Sequence, residues 1–492
     1  MATPEIKTYW QNFIDGQWCD GATSERIAIE NPATGQQIAE VARAMPADVD
    51  RAVVAARKRY NARTLIDMRP MARGALLLEI AAQMRLMADE IALAECLDNG
   101  KSLTAAKNEA MAASRYFSYY GGATDKIEGR MIPLGAGYVD YTVPAPYGVS
   151  AQIVPWNFPL QIAARSVACA LATGNTVVLK SPELSPLSCY FIAEACKRAG
   201  VPDGAVNLLC GYGHDTGAAM VSHRDVDHIV FTGSLKTGQF ILRAAAERII
   251  PCVMELGGKS AGIVFPDADL DQVAASTAIG IFTNAGQVCS AASRLVVHRS
   301  RHDEVVAKIA ARARALSIGP GIEGKDLGPL ISAAQLDKVE GMCLAAQQEG
   351  AEAVTGGRRV DGMPGHFMQP TVFTGVTLDM TVGREEVFGP VLAVQVYDDP
   401  EEAIALANGT DYGLCAGVYT KDLRQAHWAA DRLVAGQVFV NEWFAGGIET
   451  PFGGTKRSGY GREKGQEALL SYVQTKNVGI RIDAGGGGRP GG

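Results

Sequence analysis

The most reactive side-chain type in this sequence is the thiol, and one thiol stands apart. Cys289 lies in Asn284-Ala285-Gly286-Gln287-Val288-Cys289-Ser290, a small and polar segment that follows a helix-like stretch. In such a setting a cysteine can be exposed and serve as a nucleophile, whereas an ordinary cysteine is a small buried apolar residue. Glu255, in Glu255-Leu256-Gly257-Gly258-Lys259, ends an apolar run beside two glycines that allow close approach of backbone or ligand. It suits a base, and equally a loop carboxylate paired with Lys259. Asn157 sits between two prolines in Pro155-Trp156-Asn157-Phe158-Pro159. An amide in so rigid a turn can donate to a developing oxyanion, or it can bond its own backbone.

Three further segments suggest a nucleotide. Lys180 and Glu183, in Leu179-Lys180-Ser181-Pro182-Glu183, stand where a strand ends, and such a pair can hold the hydroxyls of a ribose. An acid on the 2′-hydroxyl repels a 2′-phosphate and favours NAD over NADP. A solvated charged loop would look the same. In Phe231-Thr232-Gly233-Ser234, followed by Gly238, a strand enters a turn that opens a helix. Free helix N–H groups and the Ser234 hydroxyl there suit a phosphate, or Ser234 simply caps the helix. Gly211-Tyr212-Gly213-His214-Asp215-Thr216-Gly217 is a looser glycine pattern of the same kind.

These residues need rigid elements to position them. Short apolar runs at Val149–Val154, Thr176–Leu179, Val206–Leu209, His228–Phe231 and Val253–Leu256 alternate with helical segments, the signature of a parallel sheet covered on both faces. The alternation resumes after residue 265, with strands expected at Leu295–His298, Val391–Val396, Cys415–Tyr419 and Gln437–Val440. Before the first sheet, Ala47–Tyr60, Met71–Leu97 and Lys101–Tyr120 read as helices. The expected fold class is α/β, with a Rossmann-like parallel-sheet domain and a second α/β domain. The 492 residues allow two or three domains at roughly 100–200 residues each. A net charge of −7 with no long basic run disfavours nucleic acid as a partner. No apolar stretch reaches the ~18 residues of a membrane span, and no secretory signal precedes Trp18, so a cytoplasmic protein without membrane partners is expected. Ten cysteines are scattered singly without Cys-x-x-Cys spacing, which argues against a metal site and a disulfide scaffold. The tail 484–492 is mostly glycine and is expected to be disordered.

Together, in this order, the segments at 155–159, 231–234, 255–259 and 286–289 resemble the NAD(P)-dependent aldehyde dehydrogenase superfamily. So do Glu386-Val387-Phe388-Gly389-Pro390 and Pro451-Phe452-Gly453-Gly454 with Lys456-Arg457-Ser458-Gly459. The resemblance covers nearly all of residues 8–480. It implies that Cys289 is the nucleophile, that Asn157 stabilises the oxyanion and that Glu255 is the general base for thioester hydrolysis. Relatives that pass the acyl group to CoA usually lack that base, so Glu255 implies acid-forming chemistry. The resemblance further implies NAD as cofactor in preference to NADP, with Lys180 and Glu183 at the adenosine ribose. Gly233, Ser234, Gly238 and Trp156 fall toward the pyrophosphate and adenine, and Glu386 and Phe388 at the nicotinamide end. Glu463 matches a position that serves as a proton relay in some members. The implied domains are 1–123 with 146–255 for NAD, 256–462 for catalysis, and 124–145 with 463–483 as a small β bridging element that pairs subunits into a homodimer or homotetramer.

The substrate implied is a small aldehyde. Phe158, Arg165, Thr283, Ser290, Glu442, Trp443 and Phe444 are expected to line its tunnel. Arg165, eight residues after Asn157, suits a substrate carboxylate or is a structural helix residue. Succinate-type semialdehyde enzymes have a second Arg where Thr283 stands here. Trp443 and Phe444 suit an aromatic or apolar body. Two other classes compete: a non-catalytic member kept as a binding protein, and a thiol esterase that needs no cofactor.

Overall fold

Residues 6–482 are described in a computed structural model; the tail expected to be disordered, 484–492, lies outside them. The apolar runs between 149 and 255 form Val149–Ile153, Thr176–Ser181, Val206–Cys210, His228–Thr232 and Cys252–Glu255, paired in parallel. Every residue of Thr176–Ser181, Val206–Cys210 and His228–Thr232 is buried. Burial on both faces explains why these segments show no alternation in sequence. The sheet has eight strands, completed by Asn12–Ile14 and Gln17–Cys19 at one side and Gly459–Tyr460 at the other. Its parallel strands wind outward from Val149–Ile153, first through Thr176–Ser181 and Val206–Cys210, then back through His228–Thr232 and Cys252–Glu255. The direction reverses between Val149–Ile153 and His228–Thr232. A crevice opens at such a reversal, at the carboxyl ends of the strands.

The second sheet has seven strands in the order Glu352–Thr355, Thr371–Thr374, Val391–Tyr397, Arg294–His298, Ala261–Val264, Cys415–Tyr419 and Gln437–Val440. The first two of these have no counterpart in the sequence reading. A third sheet pairs Tyr138–Pro146 with Val473–Arg481 along nine residues, and adds Met131–Ile132. The structure corrects one helical expectation and adds a hairpin that the sequence analysis did not contain. Met71–Leu97 is two helices, Pro70–Leu86 and Ala88–Asn99, parted at Met87, whose ψ of 10° leaves the helical region. No Gly or Pro marks that break in the sequence. Before the first long helix, Arg26–Asn31 and Gln36–Ala42 form an antiparallel hairpin, turned where the Asn31 side chain accepts from Ala33 N–H at 2.9 Å.

Candidate functional site

The reversal crevice is built from three strand ends. Pro155–Asn157 follow Val149–Ile153, Thr232–Ser234 end the next strand, and Glu255–Gly257 end the one beyond. With Glu386, Phe388 and Cys289 from the second α/β unit, they enclose a cavity of about 180 Å³. Trp156 meets Phe388 edge-to-face at 5.3 Å, and Phe388 holds a left-handed φ of 59°. The Trp156 carbonyl accepts from Asn99 Nδ2 at 2.5 Å and Ser185 Oγ at 2.7 Å, which fixes the turn. Glu386 Oε1 accepts from Gly258 N–H at 2.9 Å, and burial pushes its carboxyl up to about 7. A Cβ at Gly257 would stand 2.3 Å from Glu386 Oε2, so a larger residue there would push this carboxylate aside.

Ser234 takes the helix-capping role open to it in the sequence. Its Oγ accepts from Thr237 N–H at 3.3 Å, capping Leu235–Ala246, and it lines the cleft with Gly233. Lys180 Nζ lies 3.0 Å from Glu183 Oε2 at the end of a neighbouring strand. Neither residue lines the enclosed cavity, nor does Gly238, which packs toward Leu256. The Gly211–Gly217 run opens a short helix and also stays outside the cavity.

Cys289 is presented by a strained turn. The helix Leu270–Phe282 ends, and Asn284, Ala285 and Gly286 all take positive φ, 50°, 52° and 73°. At Gly286 a Cβ would stand 2.0 Å from the Gly389 carbonyl oxygen, so the turn can form only with glycine there. Gly258 plays the same part behind Cys289, where a Cβ would come within 2.5 Å of the Cys289 carbonyl oxygen. Asn157 Nδ2 donates to the Gln287 carbonyl at 2.9 Å, and Asn284 Nδ2 donates to the Asn157 carbonyl at 3.1 Å. The Asn157 amide therefore reaches across to the cysteine turn instead of bonding its own backbone. Burial first, and then the charge of Glu255, push the Cys289 thiol up to about 12.

Glu255 is 2 % exposed, and among the described residues neither of its carboxylate oxygens has a hydrogen-bond partner. Burial, reinforced by Glu463, holds its carboxyl well above the usual range. A pairing with Lys259 does not form. Lys259 Nζ is itself buried without a partner, and burial, with Arg294 nearby, brings its ammonium down to about 7.

A second cavity, about 290 Å³, approaches Cys289 from elsewhere. Phe158, Arg165, Thr283, Ser290 and Phe444 line it, with Asn157 and Cys289 common to both cavities. Trp443 does not line it. It is buried, its Nε1 donates to the Ser290 carbonyl at 2.8 Å, and its ring packs against Phe439. Glu442 is exposed and also lies outside the lining. Tyr116, Gln161, Ile162, Phe452 and Lys464 do line it, and the sequence reading missed them. Gln161 and Ile162 share a helical face with Phe158 and Arg165, a spacing that could have revealed them. Tyr116, Phe452 and Lys464 arrive from distant segments.

Arg165 is ion-paired with Glu463, which also accepts from Ser166 Oγ at 3.1 Å. Burial opposes the guanidinium charge, and Glu463 more than restores it. The Glu463→Gln variant would leave that cation buried and unpaired. It is expected to lose about 3–5 kcal/mol of stability. A urea unfolding midpoint equal to that of the parent would refute this pairing.

The chain matches the model of the aldehyde dehydrogenase family over residues 18–478. It is 42 % identical to an aldehyde dehydrogenase of Aspergillus niger over 98 % of both chains. Among solved structures, the NAD+ complex of a Bacillus cereus aldehyde dehydrogenase aligns with a TM-score of 0.95 at 40 % identity, covering 96 % of this chain and 97 % of that one. A Pseudomonas syringae indole-3-acetaldehyde dehydrogenase, solved with NAD+ and IAA, aligns at 0.95 with 38 % identity over 97 % of each chain. The chain belongs to the aldehyde dehydrogenase family.

Proposed function

We propose that this protein oxidises an aldehyde to its carboxylic acid with NAD, through a thioester on Cys289. The observation that carries the reading is that two cavities meet at Cys289 and Asn157 and nowhere else in their linings. One cavity suits the nicotinamide end of a dinucleotide: Trp156 and Phe388 bound it, and the buried Glu386 carboxyl can accept from ribose hydroxyls. The Bacillus cereus relative, solved with NAD+, supports the same choice. Bound there, the nicotinamide supplies a two-electron hydride acceptor.

The chain's own residues do the rest. The Cys289 thiolate adds to the aldehyde carbon, and the Asn157 amide donates to the oxygen that becomes negative. Loss of hydride from that carbon leaves the thioester. Glu255 takes a proton from water as it attacks, the C–S bond breaks, and the thiolate returns with release of the acid. Asn157→Ala is expected to lower kcat roughly 10²–10³-fold, the usual effect of losing one oxyanion donor. A kcat within a factor of two of the parent would remove Asn157 from this role.

Lys180 and Glu183 support NAD over NADP, because Glu183 would repel a 2′-phosphate. Residues 1–123 with 146–255 would be the cofactor domain, 256–462 the catalytic domain, and 124–145 with 463–483 the bridging element. Assembly as a homodimer or homotetramer through that element is supported by the edge strand Val473–Arg481, which presents exposed Ile480. Ten unpaired cysteines support a reducing, cytoplasmic setting. The substrate would be an aromatic or a carboxylate-bearing, semialdehyde-type aldehyde, and Phe158, Phe444 and Phe452 around the second cavity suit an aromatic body. NADH formation measured over aromatic, aliphatic and carboxylate-bearing aldehydes tests the reading. No aldehyde-dependent NADH would sink it, and a higher kcat/KM with NADP would sink the cofactor preference.

A further inference from the structure

The carboxylate-bearing substrate was first suggested by Arg165, yet Arg165 already has its anion in Glu463. The neighbouring residue, Lys464, has none. It lines the substrate cavity, and among the described residues no carboxylate lies within ion-pair distance of its Nζ. Its recorded side-chain contact is with an aromatic face, Nζ standing 4.9 Å from the Phe452 ring centroid.

Its placement is enforced by the backbone on both sides. Glu463 exchanges two hydrogen bonds with Phe452, N–H to carbonyl at 2.7 Å and carbonyl from N–H at 2.6 Å. Gly465 N–H donates to the Ile448 carbonyl at 2.8 Å. Between these anchors Lys464 takes φ of 66°, a conformation that a side-chain-bearing residue keeps only when its surroundings impose it. Lys464 is half-buried, and burial, with Arg165 close by, lowers its ammonium from the ordinary value against the charges of Cys415, Cys289 and Glu255. A cation in that condition gains from an anion that enters the cavity. Arg165 and Glu463 pair with each other, and the Glu255 charge acts on Lys464 only from beyond ion-pair distance, which leaves Lys464 as the cation of this cavity lining without an ion pair.

Resting on the dehydrogenase reading above, we propose that Lys464 is the specificity-determining residue for an aldehyde with a carboxylate at its far end. The aldehyde carbon would stand at Cys289 while Lys464 holds the carboxylate and the aromatic side chains pack the body between them.

The test compares kcat/KM for 4-carboxybenzaldehyde and 4-methylbenzaldehyde, with NAD, in the full-length protein and in Lys464→Met and Lys464→Arg. The ratio between the two aldehydes cancels any general loss of folding or turnover. The parent is expected to favour the carboxylate. In Lys464→Met the ratio should fall roughly 10–100-fold, mostly through KM, the effect of losing one charge-assisted hydrogen bond. Lys464→Arg should restore most of it. A parent that oxidises only the methyl compound, or a ratio unmoved in Lys464→Met, overturns the proposal while the dehydrogenase reading stands. No oxidation of either aldehyde by the parent, or by a wider panel, overturns both.

Discussion

Replacing Cys289 with alanine is expected to lower aldehyde-dependent NADH formation by at least about 10⁴-fold, because the step that forms the C–S bond has no other nucleophile. The cavity linings make the prediction sharp. Cys289 is the cysteine common to both, and Cys415, packed in the same cluster, is buried and lines neither. Alanine removes one sulfur from a turn shaped by Asn284, Ala285 and Gly286, so thermal unfolding should be little altered. The measurement is steady-state turnover with the best aldehyde of a panel, alongside the unfolding midpoint. Turnover within tenfold of the parent in a folded variant would end the thioester mechanism. The pH dependence follows from the thiol's position. With the Cys289 thiol pushed up to about 12, only a small thiolate fraction exists near neutrality. That fraction grows tenfold for each pH unit gained, so kcat/KM should climb between about pH 6 and about pH 9. A flat profile would require the thiolate to form only after substrate binds.

The Glu255→Gln variant should separate the two halves of the reaction. The general base acts on water, so its loss is expected to cut kcat roughly 10²–10⁴-fold. C–S bond formation and hydride loss do not need it, so a first-turnover burst of NADH, near one per active site, should survive. Glu255 carries a raised carboxyl. The active form is the deprotonated one, so thioester hydrolysis in the parent falls as pH drops through that raised value and is fully present above it. A second readout comes from the thiol. The charge of Glu255 is among the causes that raise Cys289. In Glu255→Gln the thiol should therefore ionise at lower pH, and the alkylation profile of Cys289 by iodoacetamide should move toward acid. Loss of the burst together with kcat would mean that Glu255 acts on the nucleophile and not on water.

The strands that carry the site were legible because burial on both faces left uninterrupted apolar runs. Cys415–Tyr419 and Gln437–Val440 have the bounds read from sequence. The hairpin Arg26–Ala42 and the strands at 352–374 were not read. Arg26–Asn31 alternates buried and exposed residues along one solvated sheet, Glu352–Thr355 is only partly buried, and Thr371–Thr374 is mostly buried but four residues long. The break at Met87 carries no Gly or Pro and exists because two helices pack separately. At the site, chemistry was easier to read than company. Local setting marked Cys289, Glu255 and Asn157 as candidates and the family resemblance gave them roles, but neither told that Glu255 would lack Lys259 as a partner. Trp443 was placed in the tunnel for its aromatic type, whereas its indole N–H is taken by the Ser290 carbonyl inside the core. Arg165 looked free because its anion comes from far along the chain: Ser166 and Glu463, bonded to each other, are 297 positions apart.

That distant return governs how the protein can be made. Gly459–Tyr460 pairs with Cys252–Glu255, the strand that ends in Glu255. Leu256 N–H donates to the Ser458 carbonyl at 3.0 Å, and Ser458 Oγ donates to the Gly257 carbonyl at 2.8 Å. Val473–Arg481 closes on Tyr138–Pro146. The edge of the first sheet beside Glu255 thus stays unpaired on the ribosome until nearly the whole chain has emerged. Late, long-range closure of this kind slows folding and leaves strand edges open to misassembly. A nascent chain stalled before residue 458 would hold every strand of the second sheet, yet Glu255 would stand at an open edge of the first.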